Sequence, residues 1–157
     1  MKIKLIVVGK TNSKFLIEGE NEYENRLNHY CNFEQLTISD IKNGNKLSIN
    51  DLKKKEGNLI LSKIDKSELI ILLDDKGKQY SSVDFSKFLQ NKMLNSMKRL
   101  VFIVGGAYGF SDEVYARANS KISLSKMTFS HQMVRLFVVE QIYRAIAIQR
   151  NLPYHHE

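Results

Sequence analysis

The chain has 157 residues, which is the usual size of one compact domain with a single hydrophobic core. Hydrophobic residues make up 43% and charged residues 26%, and this ordinary globular composition excludes a disordered, collagen-like or fibrous chain. A formal net charge of +7 favours polyanionic partners, nucleic acid first, although the basic residues form no tail and no run longer than that at 53–55.

Apolar patterning in the first third of the chain predicts a strand, a helix and a second strand. The β-branched run at residues 3–8 ends at Gly9 and predicts a strand that is buried on both faces. Apolar residues then recur every three or four positions as far as Tyr30, which predicts a helix capped by Asn12 or Ser13. A weaker strand follows at residues 33–38.

The middle of the chain continues this alternation. The polar stretch 39–50 predicts a surface loop, and the spacing of apolar residues over 52–64 predicts a second helix. Residues 69–73 predict a buried strand, and residues 74–80, which include Gly77, predict a loop. A third helix begins at about Ser82, because Ser81 and Asp84 form a capping pattern there.

Four further segments complete the pattern. Residues 100–104 predict a strand, and the glycine-rich segment 105–109 follows it. Ser111 is placed to cap a short helix, and residues 122–124 predict a short last strand. A long helix then runs from His131 to about Arg150. Strands that alternate with helices predict an α/β fold, with a mostly parallel sheet and helices on both faces.

The last helix is apolar around almost its whole circumference, so it is expected to be buried on all sides. A doubly wound sheet carries its helices on the outside, and one face of this helix is therefore predicted to pack against a second copy of the chain. The alternative is a central helix that lies wholly inside one monomer.

Cysteine and hydropathy patterns narrow the class of protein. Cys31 is the only cysteine, so no disulfide forms within the chain, and no His or Cys cluster has the spacing of a metal site. The longest purely apolar runs have five residues, far fewer than the roughly 20 that span a bilayer. The apolar run near the start is too short for a signal peptide. We therefore expect a cytoplasmic protein with neither a metal nor a membrane partner.

The segment 105–109 is the first candidate for a ligand site. It follows a strand and precedes a helix, the position at which open α/β sheets bind small molecules. It matches neither the Walker loop nor the dinucleotide fingerprint, so a tight turn is an equally good interpretation. Gly77, after the preceding strand, allows the same interpretation with less support.

Charged residues in the last helix are the second candidate. His131 and Arg135 share one helical face, and Glu140 and Arg144 share another. Charges in an otherwise apolar helix favour a functional role over a surface ion pair. The C-terminal tail that follows carries Tyr154, His155 and His156, and is either functional or a frayed terminus.

These segments resemble, in order and spacing along nearly the whole chain, the ribosomal large-subunit methyltransferase H family of the SPOUT superfamily. No single motif carries the resemblance; the matching segments are Val8-Gly9-Lys10, Tyr23-x-x-Arg26-Leu27, Lys55-Glu56-Gly57, Leu73-Asp74-x-x-Gly77-Lys78, Ile103-Val104-Gly105-Gly106-x-x-Gly109, Leu124-Ser125-Lys126-Met127-Thr128-Phe129-x-His131-Gln132, Glu140-Gln141-x-Tyr143-Arg144-Ala145 and Pro153-Tyr154-His155.

The resemblance implies a fold and an activity. It implies a single domain over residues 1–157, of the SPOUT type, with a C-terminal trefoil knot, working as a homodimer. The implied activity is methylation of N3 of a pseudouridine in helix 69 of 23S rRNA on the assembled 70S ribosome. The implied methyl donor is S-adenosylmethionine, held by residues of three loops: Leu73, Gly105, Gly106, Ser125, Lys126, Met127, Thr128, Phe129 and Ser130.

The mechanism that follows from the resemblance uses no metal, because methyl transfer is an in-line displacement that needs mainly positioning. The proton on N3 must leave, and His155 is the first candidate for the base. Tyr154 is expected to place that base, and Arg144 to neutralise developing charge. The tail is a candidate to reach the active site of the partner subunit.

Two positions depart from the family pattern. Ser130 stands where family members usually have proline, and Tyr108 is bulky for a glycine loop.

Two other functions stay open. A non-catalytic RNA- or ribosome-associated module would explain the charge and the fold, and would bind no S-adenosylmethionine. An ordinary doubly wound nucleotide-binding enzyme would have an acidic residue after its second strand and an unknotted chain.

Overall fold

The computed structural model describes residues 2–95 and 99–156. Strands and helices alternate along the chain, apart from the 3₁₀ turn Gly44–Lys46. The strands are β1 (Lys2–Val8), β2 (Asn32–Ile38), β3 (Leu69–Lys78), β4 (Leu100–Val104) and β5 (Ser120–Ile122). The helices are α1 (Lys14–Asn28), α2 (Ile49–Leu61), α3 (Ser82–Leu94), α4 (Asp112–Arg117) and α5 (His131–Gln149).

One sheet joins all five strands in the order β2-β1-β4-β3-β5, and every pair is parallel. This confirms the predicted α/β fold. β3 lies between β4 and β5, so the turns that leave these three strands are neighbours at one edge of the sheet. The predicted trefoil knot concerns the threading of the chain, which strand order does not test, and it stays a prediction.

Helices cover both faces of the sheet, as predicted. On one face, strand residues such as Val7 and Phe102 pack with α1, α3 and α5, where Leu27, Leu89 and Ile142 are fully buried. On the other face, Ile6, Leu72 and Ile103 pack against residues of α2 and α4, among them Ile60 and Val114. Because β1, β4 and the first half of β3 are buried on both sides, their sequences are continuously apolar instead of alternating.

Serine caps begin the helices where the sequence indicated them. Ser81 Oγ accepts from the backbone N–H of Asp84, and Ser111 Oγ accepts from that of Val114. Ser13 is the N-cap residue of α1, although its side chain makes no capping bond. The predicted loop 39–50 is shorter than expected, because Ser48 caps α2 and the helix starts at Ile49.

The structure corrects two strand predictions. Residues 74–80 were predicted as a loop, but β3 continues to Lys78 after a shift in register beyond Leu73. The polar extension pairs with β5, where Ser123 N donates to Lys78 O over 3.0 Å. β5 itself covers Ser120–Ile122 instead of 122–124. A short polar strand at the sheet edge has no apolar pattern of its own, which explains both errors.

Helix α5 is not buried on all sides within one chain. The side that faces the sheet is fully enclosed, with Val139, Ile142 and Ala147 at 0% exposure. On the other side Phe137 is 38% exposed and Met133 is partly exposed. The alternative of a central helix enclosed by one monomer is therefore wrong, and the apolar outer side remains available to a partner. In the described parts of the chain, no helix is long and apolar enough to cross a membrane.

Candidate functional site

Three loops meet at the carboxyl edge of the sheet, where β4, β3 and β5 end side by side. They border a cavity of about 650 Å³. Six of the nine residues predicted to hold a cofactor line this cavity: Leu73, Gly105, Gly106, Thr128, Phe129 and Ser130. The chain thus brings together segments that are up to 57 positions apart in the sequence.

Two smaller cavities adjoin the same loops. One, of about 130 Å³, is lined by Ser125 and Met127 together with Leu73. The other, of about 290 Å³, reaches from Leu73 to Gln141 on α5. Lys126 lines none of the three cavities, so the structure does not group it with the other predicted cofactor residues.

The glycine loop after β4 is a tight turn and also lines the cavity. Its two predicted roles, a tight turn and a candidate ligand loop, are therefore compatible. Gly106 and Gly109 close the turn through a backbone bridge, with Gly109 N donating to Gly106 O over 3.2 Å. Gly109 has φ +83°, a conformation that favours glycine. At Gly105 a Cβ would lie 2.9 Å from the ring of Phe110. A side chain there would therefore push the turn out of place.

The bulge of β3 that follows Leu73 is tied to helix α4. Tyr115 OH donates to Asp74 Oδ2, and Asp74 Oδ1 accepts from the backbone N–H of Lys76 over 2.8 Å. Burial of the Tyr115 hydroxyl, together with its bond to Asp74, raises the pKa of Tyr115 to about 12. Both oxygens of Asp74 are thereby occupied, which fixes the turn beside Leu73.

Serine side chains shape the third loop. Ser123 Oγ donates to Ser125 O over 2.8 Å, and Ser125 Oγ accepts from Met127 N over 3.0 Å. Ser130 is the N-cap residue of α5, and its Oγ accepts from Gln132 N over 3.3 Å. Its φ of −54° lies within the range that proline would impose. The serine at this position therefore keeps a proline-like backbone and adds a helix cap.

The predicted catalytic residues form a separate cluster around Glu140. Tyr154 OH donates to Glu140 Oε1 over 2.9 Å, and Arg144 Nε donates to the same oxygen over 3.1 Å. Arg144 Nη1 lies 3.3 Å from His155 Nδ1. Because a guanidinium has no acceptor, this His155 nitrogen is the acceptor of the bond. The tail is therefore bound along α5 and is not frayed.

Electrostatics fix the protonation states of two members of this cluster. Burial raises the pKa of Tyr154 well above its usual value, and hydrogen bonds to Tyr23 and Glu140 act in the same direction. The hydrogen bond to Glu140 raises the pKa of Arg144. Tyr154 is therefore a neutral donor and Arg144 a permanent cation at physiological pH. Tyr154 was predicted to place His155, but its hydroxyl group bonds to Glu140 and Tyr23. The side chain that contacts His155 is that of Arg144.

The cluster and the cavities share no residue within one chain. Arg144, Tyr154 and His155 line none of the three cavities at the carboxyl edge of the sheet. The predicted cofactor residues and the predicted catalytic residues thus lie in two different places on the same chain.

His131 and Arg135 do not act as the functional pair suggested by their spacing. His131 is exposed and lines the 650 Å³ cavity. Arg135 is 1% exposed and donates to the backbone oxygens of Val8 and Gly9. Its role is to fasten α5 to the end of β1. Gly77 is likewise a packing residue, since a Cβ there would lie 2.5 Å from the backbone of Ile122.

Two carboxylates, those of Glu140 and Glu56, make contacts at the site that the sequence pattern did not predict. Glu140 was predicted to act with Arg144, but its bond to Tyr154, which joins the tail to α5, was not predicted. Glu56 lies against Gly106, where burial and the neighbouring Asp40 raise the pKa of its carboxyl group. The motif Lys55-Glu56-Gly57 is the only sequence signal for that contact. Asp40 does follow the second strand, but its carboxylate lies against Gly9 and lines none of the three cavities.

Metal and thiol chemistry find no support in the described residues. Within residues 2–95 and 99–156, no three His, Cys, Asp or Glu side chains are grouped as metal ligands. Cys31 is partly buried, and burial raises the pKa of its thiol to about 11. It therefore carries little thiolate at neutral pH.

Comparison with known proteins gives concordant matches over the full length. A family model described as predicted SPOUT methyltransferase matches residues 1–155. The protein named ribosomal RNA large subunit methyltransferase H in Parabacteroides distasonis is 57% identical over 100% of both chains. The protein of that name in Christiangramia forsetii is 55% identical over 99% of each chain, and the one in Porphyromonas gingivalis strain W83 is 52% identical over 100% of both.

Proposed function

The chain belongs to the ribosomal RNA large subunit methyltransferase H family of SPOUT methyltransferases, and on that premise we propose that it methylates N3 of a pseudouridine in helix 69 of 23S rRNA. The proposed methyl donor is S-adenosylmethionine, the substrate is the assembled 70S ribosome, and the place of action is the cytoplasm. The observation that carries the proposal is the convergence of three loops on one cavity at the carboxyl edge of the sheet.

The cavity fits a cofactor of this class. Its volume of about 650 Å³ lies within the range of roughly 300 to 1,000 Å³ typical of small-molecule sites. Leu73 and Phe129 offer apolar walls for a nucleoside, while Gly105 and Gly106 allow the backbone to approach a ligand closely. When bound, S-adenosylmethionine supplies a methyl group on a positively charged sulfur, and this electrophile needs no metal.

The tail cluster supplies charge and a proton acceptor. The new N3–methyl bond would use the electron pair of the nitrogen, the sulfur–methyl bond would break and leave its electron pair on sulfur, and the proton on N3 would pass to His155. The accepting atom is Nδ1, which is the nitrogen bonded to Arg144 in the structure. Arg144 must therefore release His155 as the proton arrives, and its permanent charge is then free to stabilise the developing anion. Tyr154 and Glu140 hold Arg144 in place for this exchange.

A complete active site needs two chains in this proposal. The catalytic cluster lines none of the three cavities of its own chain, so the tail of one subunit is proposed to complete the cavity of the other. An apolar surface near the cavity supports a homodimer. Met127 is 76% exposed, and Phe129 and Phe137, whose ring centroids are 5.2 Å apart, are each 38% exposed.

The test is transfer of labelled methyl groups from S-adenosylmethionine to ribosomes that lack the modification, followed by mapping of the labelled nucleotide. We expect label on one pseudouridine of 23S rRNA, more on assembled ribosomes than on free rRNA. Label on a different nucleotide would refute the proposed target. Absence of both labelling and calorimetric S-adenosylmethionine binding would instead favour a non-catalytic ribosome-associated module.

A further inference from the structure

One aromatic side chain projects from the wall of the cofactor cavity. Tyr108 lies in the glycine loop after β4, lines the 650 Å³ cavity and is 57% exposed. Within the described residues it forms no hydrogen bond and stacks on no other ring, unlike Tyr115 and Tyr154. Both faces of this ring are therefore free to contact a ligand.

The turn that carries Tyr108 is held in place from behind. The backbone bridge between Gly106 and Gly109 leaves only Ala107 and Tyr108 at the tip. Gly105 packs against the ring of Phe110, and Gly106 packs against the carboxylate of Glu56. A ring on such a turn loses little conformational freedom when it binds, which favours recognition of a flat partner.

Cations border the same cavity. Lys53 of α2 and Lys76 of the β3 extension line it together with Tyr108. Asp74 and Asp75 line it as well, so these four side chains carry no net charge, but within the described residues neither lysine forms an ion pair, and both ammonium groups are free to contact a phosphate. An aromatic ring flanked by lysines is the combination that binds single-stranded nucleic acid, since bases stack on the ring and phosphates pair with the cations.

We propose that Tyr108 stacks on an unpaired base of the RNA that enters the cavity, so that the loop that binds the cofactor also holds the acceptor strand. This inference rests on the proposed function for the identity of the RNA. The exposed position of the ring favours an incoming base over the cofactor adenine, because Gly105, on the inner side of the turn, is buried while Tyr108 at the tip faces solvent.

The test compares Tyr108→Ala, Tyr108→Phe and wild type in equilibrium binding to ribosomes that lack the modification. We expect Tyr108→Ala to weaken this binding about tenfold, within the range measured for loss of one stacking contact. Tyr108→Phe should bind as wild type does, because the ring alone does the stacking. In single-turnover methyl transfer, the ribosome concentration for half-maximal rate should rise with little change in the maximal rate. Ile49→Ala, which trims an apolar side chain of 54% exposure outside the cavity, serves as the control.

Four outcomes would overturn the inference. Unchanged ribosome binding by Tyr108→Ala would remove its basis. An equal loss of S-adenosylmethionine affinity in calorimetry would make Tyr108 a cofactor residue, and dissociation of a dimer in sedimentation would make it an interface residue. If wild type binds ribosomes but transfers no methyl group, the proposed function fails while the stacking contact is still measured. If wild type binds no ribosome, both fail.

Discussion

Arg135 shows how one buried cation positions a helix. Its Nη1 donates to Gly9 O over 2.8 Å and to Thr11 Oγ1 over 3.0 Å, and its Nη2 donates to Val8 O. Burial lowers the pKa of Arg135, while the carboxylates of Glu20 and Asp40 oppose that effect. Because α5 starts directly after the loop 125–130, which is proposed to bind the cofactor, this contact also fixes the end of that loop.

Arg135→Met is expected to lower the free energy of unfolding by about 3 kcal/mol, because it leaves buried carbonyl oxygens without donors. Denaturant unfolding measures the loss. Arg150→Met is the matched control: Arg150 is exposed and makes one long bond of 3.4 Å, so its loss should stay within about 1 kcal/mol. Similar losses for the two variants would show that the Arg135 contacts add no stability.

Tyr115 makes the free energy of unfolding depend on pH in the alkaline range. Its pKa is raised from 10.0 to about 12 in the folded chain, so between these values the unfolded chain loses a proton that the folded chain keeps. The free energy of unfolding therefore falls as the pH rises through this window. Tyr154, whose pKa is also raised, acts in the same direction.

Tyr115→Phe should lower stability by about 1 to 2 kcal/mol near neutral pH, since Asp74 loses its donor. It should also make the decline above pH 10 shallower than in wild type. Denaturant unfolding at a series of pH values tests both effects. Tyr108→Phe, which removes an exposed hydroxyl that makes no hydrogen bond within the described residues, should leave the decline as it is. A Tyr115→Phe decline as steep as that of wild type would refute the assignment.

The pairing of β3 with β5 supports two of the three segments that are proposed to bind the cofactor. Gly77 allows the close approach, since a Cβ there would lie 2.5 to 2.7 Å from three backbone atoms of Ile122. Backbone atoms in a paired strand cannot move aside cheaply. The turn after Leu73 and the loop that begins beyond Ile122 both depend on this contact.

Gly77→Ala is therefore expected to lower the free energy of unfolding by about 2 kcal/mol and to weaken S-adenosylmethionine binding at least tenfold. Unfolding and calorimetry measure the two effects. Gly44→Ala is the control, because its Cβ would meet the flexible end of Leu52 at 3.1 Å and Ile41 Cβ at an ordinary contact distance of 3.8 Å. Normal cofactor affinity in a folded Gly77→Ala protein would show that the loops do not depend on this pairing.

Elements with a strong apolar pattern were predictable from the sequence, and elements held by tertiary contacts were not. The buried runs of β1 and β4 and the caps at Ser81 and Ser111 need only local chemistry, and the structure confirms them. The polar extension of β3 becomes a strand only because β5 lies beside it. Likewise, the spacing of His131 and Arg135 could not show that the arginine turns inward to β1.

Some residues of the candidate site were likewise predictable from the sequence pattern, and others were not. Gly105 and Gly106 were predictable, because a glycine turn after a parallel strand marks the ligand-binding edge of a sheet. The family resemblance, not the residue pattern, supplied the loop 125–130 and the catalytic roles of the tail. The contact of Glu140 with Tyr154 joins residues 14 positions apart across a turn of the chain, and nothing in their spacing announces it.

Within one chain the tail cluster lies apart from the cavity, so two chains can complement each other's defects. If the tail of one subunit completes the cavity of the other, a chain with a defective tail can still supply a sound cavity. A chain with a defective cavity can still supply a sound tail. A dimer of the two then has one intact active site.

His155→Ala and Gly105→Val, each inactive alone, should recover about a quarter of wild-type methyl transfer when co-expressed and assorted at random, since half of the dimers are mixed and each has one intact site of two. The valine would clash with the ring of Phe110 and so displace the glycine turn that forms a wall of the cavity. Thermal unfolding checks that each variant folds, and differently tagged chains show that mixed dimers form. His155→Ala with Arg144→Ala is the control and should recover nothing, because both lesions lie in the tail cluster. Mixed dimers of the first pair without activity would show that tail and cavity work within one chain.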